Sequence, residues 1–392
     1  MNILFMADKV PYPIYNDGGT LMTYNVMKFL NTDNDLDFIS FHNPNNVIPE
    51  DFMDGICNNS FLIEDNVTLT SLDYLKSIVS FKPPFYNKKS NLFFYELKKL
   101  INNNKYDLIF IDGIHMDVYA SEIKHSNKII SLHDSLSLLY LSFYNSSNNF
   151  FVKSYFYYCS LIFKKVELQI LKNYRKCLFV SNKDVEYLKK NTSNKITNCF
   201  VIQNGVNQDL VAKQQIIKKN ENALVFTGVM DYKPNVDAVM FFVKEIFPLI
   251  LINHPKTIFF IVGKNPSEEI KLLKSKNIIV TGFVDDISGF ILNSCVYVSP
   301  LLSGAGLKNK ILEAMALRIP IVSTSISLHG INVEHNKHIF VKDNPTDFAK
   351  SVSFLLDDEK LRNKLIINSY DLILKEYTWE HVYSLYNKIL FS

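Results

Sequence analysis

Short, nearly continuous apolar runs alternate with longer amphipathic stretches along most of the chain, and this alternation limits the folds open to it. In the first half the runs are NILFMA, LDFISF, DLIFID, KIISLHD and KCLFVS; in the second they are ALVFTG, TIFFIVG, NIIVTG, VYVSP, IPIVST and HIFVKD. Runs of this kind, bounded by polar turns, suit parallel strands covered on both faces. Their alternation with helical stretches makes each half a doubly wound α/β unit. At 392 residues the chain exceeds one ordinary core, since domains usually run to roughly 100–200 residues. The expected organisation is one α/β domain over residues 1–200, rejoined by a C-terminal helix over 377–392, and a second over 201–376. The boundary lies in ITNCFVIQNGVNQDLVAKQQIIKKNEN, where Asn204-Gly205 marks a turn and a lysine-rich stretch precedes a fresh strand. Open α/β sheets bind ligands beyond the carboxyl ends of their strands, so two such domains facing one another across a cleft would share a site.

Composition narrows the partners. Hydrophobic residues make up 47% and charged residues 21%, the balance of a globular protein. Lys and Arg number 42 against 39 Asp and Glu, too even for a polyanion binder, so nucleic acid is not an expected partner. The five cysteines, Cys57, Cys159, Cys177, Cys199 and Cys295, have neither metal-knuckle nor redox-pair spacing and read as reduced thiols of a cytoplasmic protein. MNILFMADKVPYP lacks the features of a signal peptide, and no apolar run reaches spanning length. Residues 136–165, LSLLYLSFYNSSNNFFVKSYFYYCSLIFKK, are unusually aromatic and carry Lys153, Lys164 and Lys165. Two readings stand: a buried helical pair, or a surface that lies on the inner face of the plasma membrane or grips a lipid-linked acceptor. The tail YTWEHVYSLYNKIL repeats apolar positions at helical spacing and reads as a last helix.

The most chemically informative segment is GAGLKNKILEAMALRIPIVST, residues 304–324, which follows the strand CVYVSP. Gly304 and Gly306 let backbone amides approach a ligand, and the helix expected to open near Leu307 adds unpaired N–H groups to the same place. Lys308 and Lys310 supply positive charge beside it, as a phosphate or diphosphate requires. Glu313, further along the helix, accepts hydrogen bonds when ionised, which suits the vicinal hydroxyls of a ribose. The dinucleotide fingerprint does not fit, because Asn309 stands where a third glycine would be needed, and the P-loop pattern of Gly, four residues and Gly-Lys-Ser/Thr occurs nowhere. On these residues alone, a nucleotide site and an ordinary amphipathic helix with solvated lysines both remain open.

The run GAGLKNKILEAMA followed by PIVST resembles the donor-binding segment of the retaining glycosyltransferases of family 4, the glycosyl transferases group 1. Further pieces agree in order: DGGT (Asp17 to Thr20), SLHDS (Ser131 to Ser135), FVSNKD, VIQNGVN, FTGVMDYKPNVDA, VTGFVDD and YTWE. The resemblance implies the glycogen-synthase-type (GT-B) fold of two facing Rossmann-like domains, the first binding acceptor and the second a nucleotide sugar. It implies that Glu313 holds the ribose and that Lys308 and Lys310 meet the donor diphosphate. Gly18 and Gly19 correspond to the first-domain loop over the phosphates, and His133 to a histidine facing the donor sugar, with Asp134 as its partner or as a helix cap. Gly228, Lys233, Gly304, Gly306 and Leu307 complete the donor set. Two departures stand out. Ala305 occupies the place of the first glutamate of the family pair, eight residues before Glu313, and GVMDYKPN offers only Lys233 where Arg and Lys are usual.

The implied reaction moves a sugar from a nucleotide diphosphate to an acceptor hydroxyl with retention of configuration, in the biosynthesis of a bacterial surface polysaccharide such as capsule, O-antigen or exopolysaccharide. The donor is a co-substrate, and neither a cofactor nor a metal is expected, since lysines and amides neutralise the diphosphate. The expected acceptor is a glycan or lipid-linked glycan. A catalytically silent nucleotide-sugar binder is the alternative that Ala305 suggests, and a nicotinamide oxidoreductase is disfavoured by the missing glycine fingerprint.

Overall fold

A computed structural model describes residues 1–14, 18–64, 68–192, 196–213, 220–304 and 306–391. Asp17 and Ala305, both singled out above, lie outside the described residues. The chain divides into two compact units, Met1–Gln203 with Leu385–Ser392, and Asn204–Ser384.

The first unit holds a seven-stranded sheet of β1 (Asn2–Ala7), β2 (Asp35–His42), β3 (Asn59–Glu64), β4 (Leu108–Asp112), β5 (Lys128–His133), β6 (Lys176–Phe179) and β7 (Cys199–Val201). Its order is β3-β2-β1-β4-β5-β6-β7 and every pairing is parallel. The central strands are buried nearly throughout, because helices cover both faces of a parallel sheet. Two strands escape the apolar alternation of the sequence, β3 and β7. Both lie at sheet edges and are half-exposed, so neither needs a continuous apolar run.

The second unit holds β8 (Ala223–Thr227), β9 (Ile258–Val262), β10 (Ile278–Gly282), β11 (Val296–Ser299), β12 (Ile321–Ser323) and β13 (Phe340–Val341). The order is β10-β9-β8-β11-β12-β13, again parallel throughout. Each sheet therefore reverses its strand order once, between β1 and β4 and between β8 and β11. At such a point the crossovers leave in opposite directions and open a crevice beyond the strand tips.

The aromatic segment forms two helices, Leu136–Ser146 and Phe150–Asn173, packed on one another. Tyr140 stacks on Phe163 at 5.3 Å between centroids, while Phe150 and Phe151 stay exposed. The two helices pack as a pair, but burial is confined to Ser137 and to Cys159, Ser160, Ile162 and Phe163, so most of the segment is half-buried or exposed. The tail forms the helix Trp379–Leu390. Gly205 is required there: a Cβ on it would lie 2.6 Å from the Trp379 ring. Among the described residues no helix is long and apolar enough to cross a membrane.

Candidate functional site

In the second unit the site is built at the tips of β8 and β11. The helix after β11 runs Asn309–Ala316, with Lys308 as its extended N-cap, slightly later than the sequence suggests. Gly306, in the left-handed region at φ 67°, turns the chain into it. Ile311, Leu312, Met315 and their neighbours bury one face of this helix. That leaves Lys310 and Glu313, three residues apart, together on the other face.

Lys310 is a fixed group. Its Nζ donates to the Thr227 carbonyl at 3.0 Å and to Asn235 Oδ1 at 2.7 Å, and sits 4.3 Å above the Phe226 ring. The lysine is thereby seated on the tip of β8. Burial disfavours its charge, Lys308 opposes it further, and Glu313 only partly compensates, so its pKa falls to about 7. Glu313 is moved the other way: burial pushes its carboxyl up and Lys310 pulls it back. Among the described residues its carboxylate has no hydrogen-bond partner. Lys308 Nζ turns back to the Gly306 carbonyl at 2.9 Å.

Around this pair the packing is tight. Asn235, nearly buried, accepts from Lys310 and donates to the Val229 carbonyl at 2.9 Å. A Cβ on Gly228 would come within 2.7 Å of Asn235 Nδ2 and 3.2 Å of Lys310 Nζ, so glycine is needed for the lysine to reach its seat. The Thr227 hydroxyl meets the fully buried Tyr297 hydroxyl at 2.8 Å. Asn204 Nδ2 donates to Asn309 Oδ1 at 2.9 Å, tying the Asn204-Gly205 turn to the start of the lysine-bearing helix. Lys233 is not drawn into this group; it pairs with Asp237 at 2.8 Å on the exposed face of its own helix. Gly304 is buried, Leu307 half-buried against the adjacent apolar core.

In the first unit the corresponding crevice is organised by a residue the sequence reading did not single out. Asp112, the last residue of β4 and nearly buried, accepts from the Thr23 hydroxyl at 2.5 Å and lies 2.8 Å from His133 Nε2. His133 ends β5 in the left-handed region at φ 57°, where the β5–β6 register shifts. Burial alone would depress its pKa, but the charge and hydrogen bond of Asp112, helped by Asp134 and Asp8, lift it to about 9. His133 is therefore an imidazolium at neutral pH. Asp112 takes the partner's place considered for Asp134, and Ser135 is the residue that caps the following helix. Gly18 and Gly19 are the first residues of the helix Gly18–Thr32, and the Thr23 hydroxyl also approaches the Gly19 carbonyl at 2.9 Å. One carboxylate thus joins the glycine-led helix to His133. The signal was present in DLIFID, a buried strand ending in an acid.

Among the described residues no group of three or more His, Cys, Asp or Glu has metal-binding proximity.

Comparison with known proteins places these features in context. Residues 221–358 match the family model Glycosyl transferases group 1. An uncharacterised 44.6 kDa protein in the cps region of Klebsiella pneumoniae is 23% identical over 395 residues, covering 97% of this chain and 98% of that protein. A TarM variant of S. aureus, solved with Fondaparinux, alpha-GlcNAc-glycerol and UDP, superposes with TM-score 0.70 at 14% identity over 100% of both chains. Sucrose-phosphate synthase from Thermosynechococcus elongatus gives TM-score 0.71 at 16% identity over 99% of this chain and 98% of its own.

Proposed function

We propose that this chain, a glycosyltransferase of the GT-B type whose residues 221–358 match the glycosyl transferases group 1 model, transfers a sugar, with retention, from a nucleoside-diphosphate sugar to a hydroxyl of a bacterial surface glycan. The observation that carries this reading is the seating of Lys310 on the tip of β8 beside Glu313, whose carboxylate has no hydrogen-bond partner among the described residues, at the strand-order reversal of the second sheet. A cation, helix-start amides and an acceptor-only carboxylate are what a diphosphate and a ribose together require. The second unit is accordingly the donor domain and the first the acceptor domain. UDP in the TarM complex supports a uridine donor, and the cps-region relative supports capsule as the product.

In this reading Glu313 holds the ribose, while Lys308, Lys310 and the amides around Gly304 and Gly306 neutralise the diphosphate without a metal. Gly18 and Gly19, at the start of a helix, offer further amides to the phosphates. His133, charged through Asp112, donates a hydrogen bond to the donor sugar or its phosphate and does not act as a general base. The bond from the anomeric carbon to the phosphate oxygen breaks as the bond to the acceptor oxygen forms on the same face. The acceptor proton passes to the leaving phosphate oxygen. Stabilising charge on that leaving group is the protein's main task, with positioning supplying the rest. The acceptor is lipid-borne, and the enzyme works as a peripheral protein on the cytoplasmic side of the membrane.

The test is a thermal-shift screen against UDP, GDP, CMP, ADP and NAD, followed by assay of nucleotide release from the sugar donors of the base that binds. A base-selective rise that Glu313→Ala removes, with nucleotide release and an axial anomeric product signal by NMR from an α-linked donor, is expected. Binding without release would make the chain a silent nucleotide-sugar binder. EDTA is expected to leave the rate unchanged.

A further inference from the structure

The helix Ser71–Ser80 of the first unit packs inside out. Its two buried residues, Asp73 and Ser77, are polar, whereas Leu72, Leu75, Ile78 and Val79 are 65%, 59%, 57% and 89% exposed. Their spacing places them in one stripe along the helix. The inward pair is engaged locally: Thr70 donates from its backbone N and hydroxyl to Asp73 at 2.8 and 2.7 Å, and Ser77 Oγ donates to the Lys82 carbonyl at 2.5 Å. The helix is anchored on Phe150–Asn173, where Tyr158 donates to the Ser77 carbonyl at 3.1 Å and meets Phe81 edge-on at 5.7 Å. That neighbour adds its own exposed aromatics, Phe150 at 75% and Phe151 at 82%. An apolar surface of this extent on a globular unit marks a docking face.

The charges beside it select the occupant. Where the stripe ends at Phe81, a cavity of about 170 Å³ opens between Lys82, Lys89, Lys165 and Gln169. The carboxylates at this cavity are already used. Asp117 accepts from the hydroxyls of Tyr86 and Tyr174 at 2.5 Å each, and Glu122 is paired with Lys89. Among the described residues Lys82 and Lys165 have no carboxylate partner, and Lys165 lies 5.4 Å from the Phe81 ring centre. Lys76 on the helix and Lys153 on its neighbour add to them. An apolar stripe bordered by lysines complements an anionic lipid surface, into which the stripe inserts while the ammonium groups reach the phosphates. A second copy of the chain would bring the same lysines against themselves across a two-fold axis.

We propose that the helix Ser71–Ser80 and the start of the helix Phe150–Asn173 form a docking face for an anionic lipid bilayer, with the lysine-lined cavity beside Phe81 taking a headgroup phosphate. The proposal deepens the reading of the acceptor as lipid-borne and rests on it for its purpose.

The experiment is flotation of the whole chain with vesicles of phosphatidylcholine, with and without phosphatidylglycerol, in the absence of donor and acceptor. The wild type is expected to float with the anionic vesicles and to be released by salt. Leu75→Glu with Val79→Glu is expected to lower the bound fraction roughly tenfold. Lys82→Glu with Lys165→Glu is expected to cost a similar factor on anionic vesicles only. All four positions are exposed, so circular dichroism and Tm should match wild type. A wild type that stays unbound, or a glutamate pair that floats like wild type, overturns the proposal. So does a dimer in light scattering that the glutamate pair dissolves, since it assigns the face to a second copy. Failed sugar transfer with intact flotation would count against the chemistry alone, and the reverse against the docking face alone.

Discussion

His133 Nε2 stands 2.8 Å from Asp112 Oδ1, and the other oxygen of the same carboxylate stands 2.5 Å from the Thr23 hydroxyl. Asp112 is thus a positioning residue for two elements at once. Asp112→Asn removes the charge that outweighs burial, so the His133 pKa should drop from about 9 to below the ordinary histidine value of about 6.5. NMR titration of the His133 ring proton reads this directly. The linkage has a fixed sign. A folded-state pKa raised above the unfolded one stabilises fully below about 6.5 and is lost as pH rises through about 9. The Tm deficit of the variant should therefore shrink between pH 6 and pH 10; a constant deficit would mean that Asp112 acts through packing alone.

Glu313→Ala should weaken UDP binding by roughly 10–100-fold, the range for losing hydrogen bonds to a charged acceptor. Glu313→Gln should recover part of it, because an amide oxygen still accepts. Calorimetry on both variants checks the order, and equal affinity of the two would argue against a ribose contact.

Lys310 couples binding to pH. Its ammonium is held down to about 7 in the free protein by burial and Lys308, and an arriving diphosphate supplies the negative charge that raises it again. Above neutrality the complex then holds more protons than the free protein. UDP affinity should be highest below pH 7 and fall by up to about tenfold per pH unit above it. Calorimetry in buffers of different ionisation enthalpy should register proton uptake at pH 8, and Lys310→Met should abolish that uptake.

Gly228→Ala tests the seat itself. The added Cβ would meet Asn235 Nδ2 at 2.7 Å and Lys310 Nζ at 3.2 Å. Overpacking of this kind costs about 1–3 kcal/mol, and the displaced lysine should lose its pH-coupled binding as well. Urea unfolding and the same calorimetry separate the two effects.

Both sheets are largely legible in the sequence, because a parallel strand covered on two faces must be apolar along its length, as LIFID and ALVFT are. β3 and β7 are not legible for the converse reason: an edge strand is buried on fewer sides and NSFLIE needs no such run. The donor helix is readable from its glycines, lysines and Glu313, which share one short segment. Lys310's seat is not, since Thr227 and Asn235 are 83 and 75 residues away and only the β8–β11 pairing brings them near. Asp112 escaped notice because Asp134, adjacent in sequence to His133, looked the nearer partner. The inverted helix Ser71–Ser80 is hidden for a different reason: helical periodicity identifies an apolar face without saying which way it points.

Lys310, Glu313, His133 and Asp112 stand on strand tips or on the helix face turned away from its apolar packing, outside the apolar clusters inside each unit. The residues of the site are therefore largely distinct from those of the apolar cores. Changes at the tips of β4, β5, β8 and β11 leave the cores untouched, so their cost in stability is limited to the local seats of groups such as Lys310 and His133.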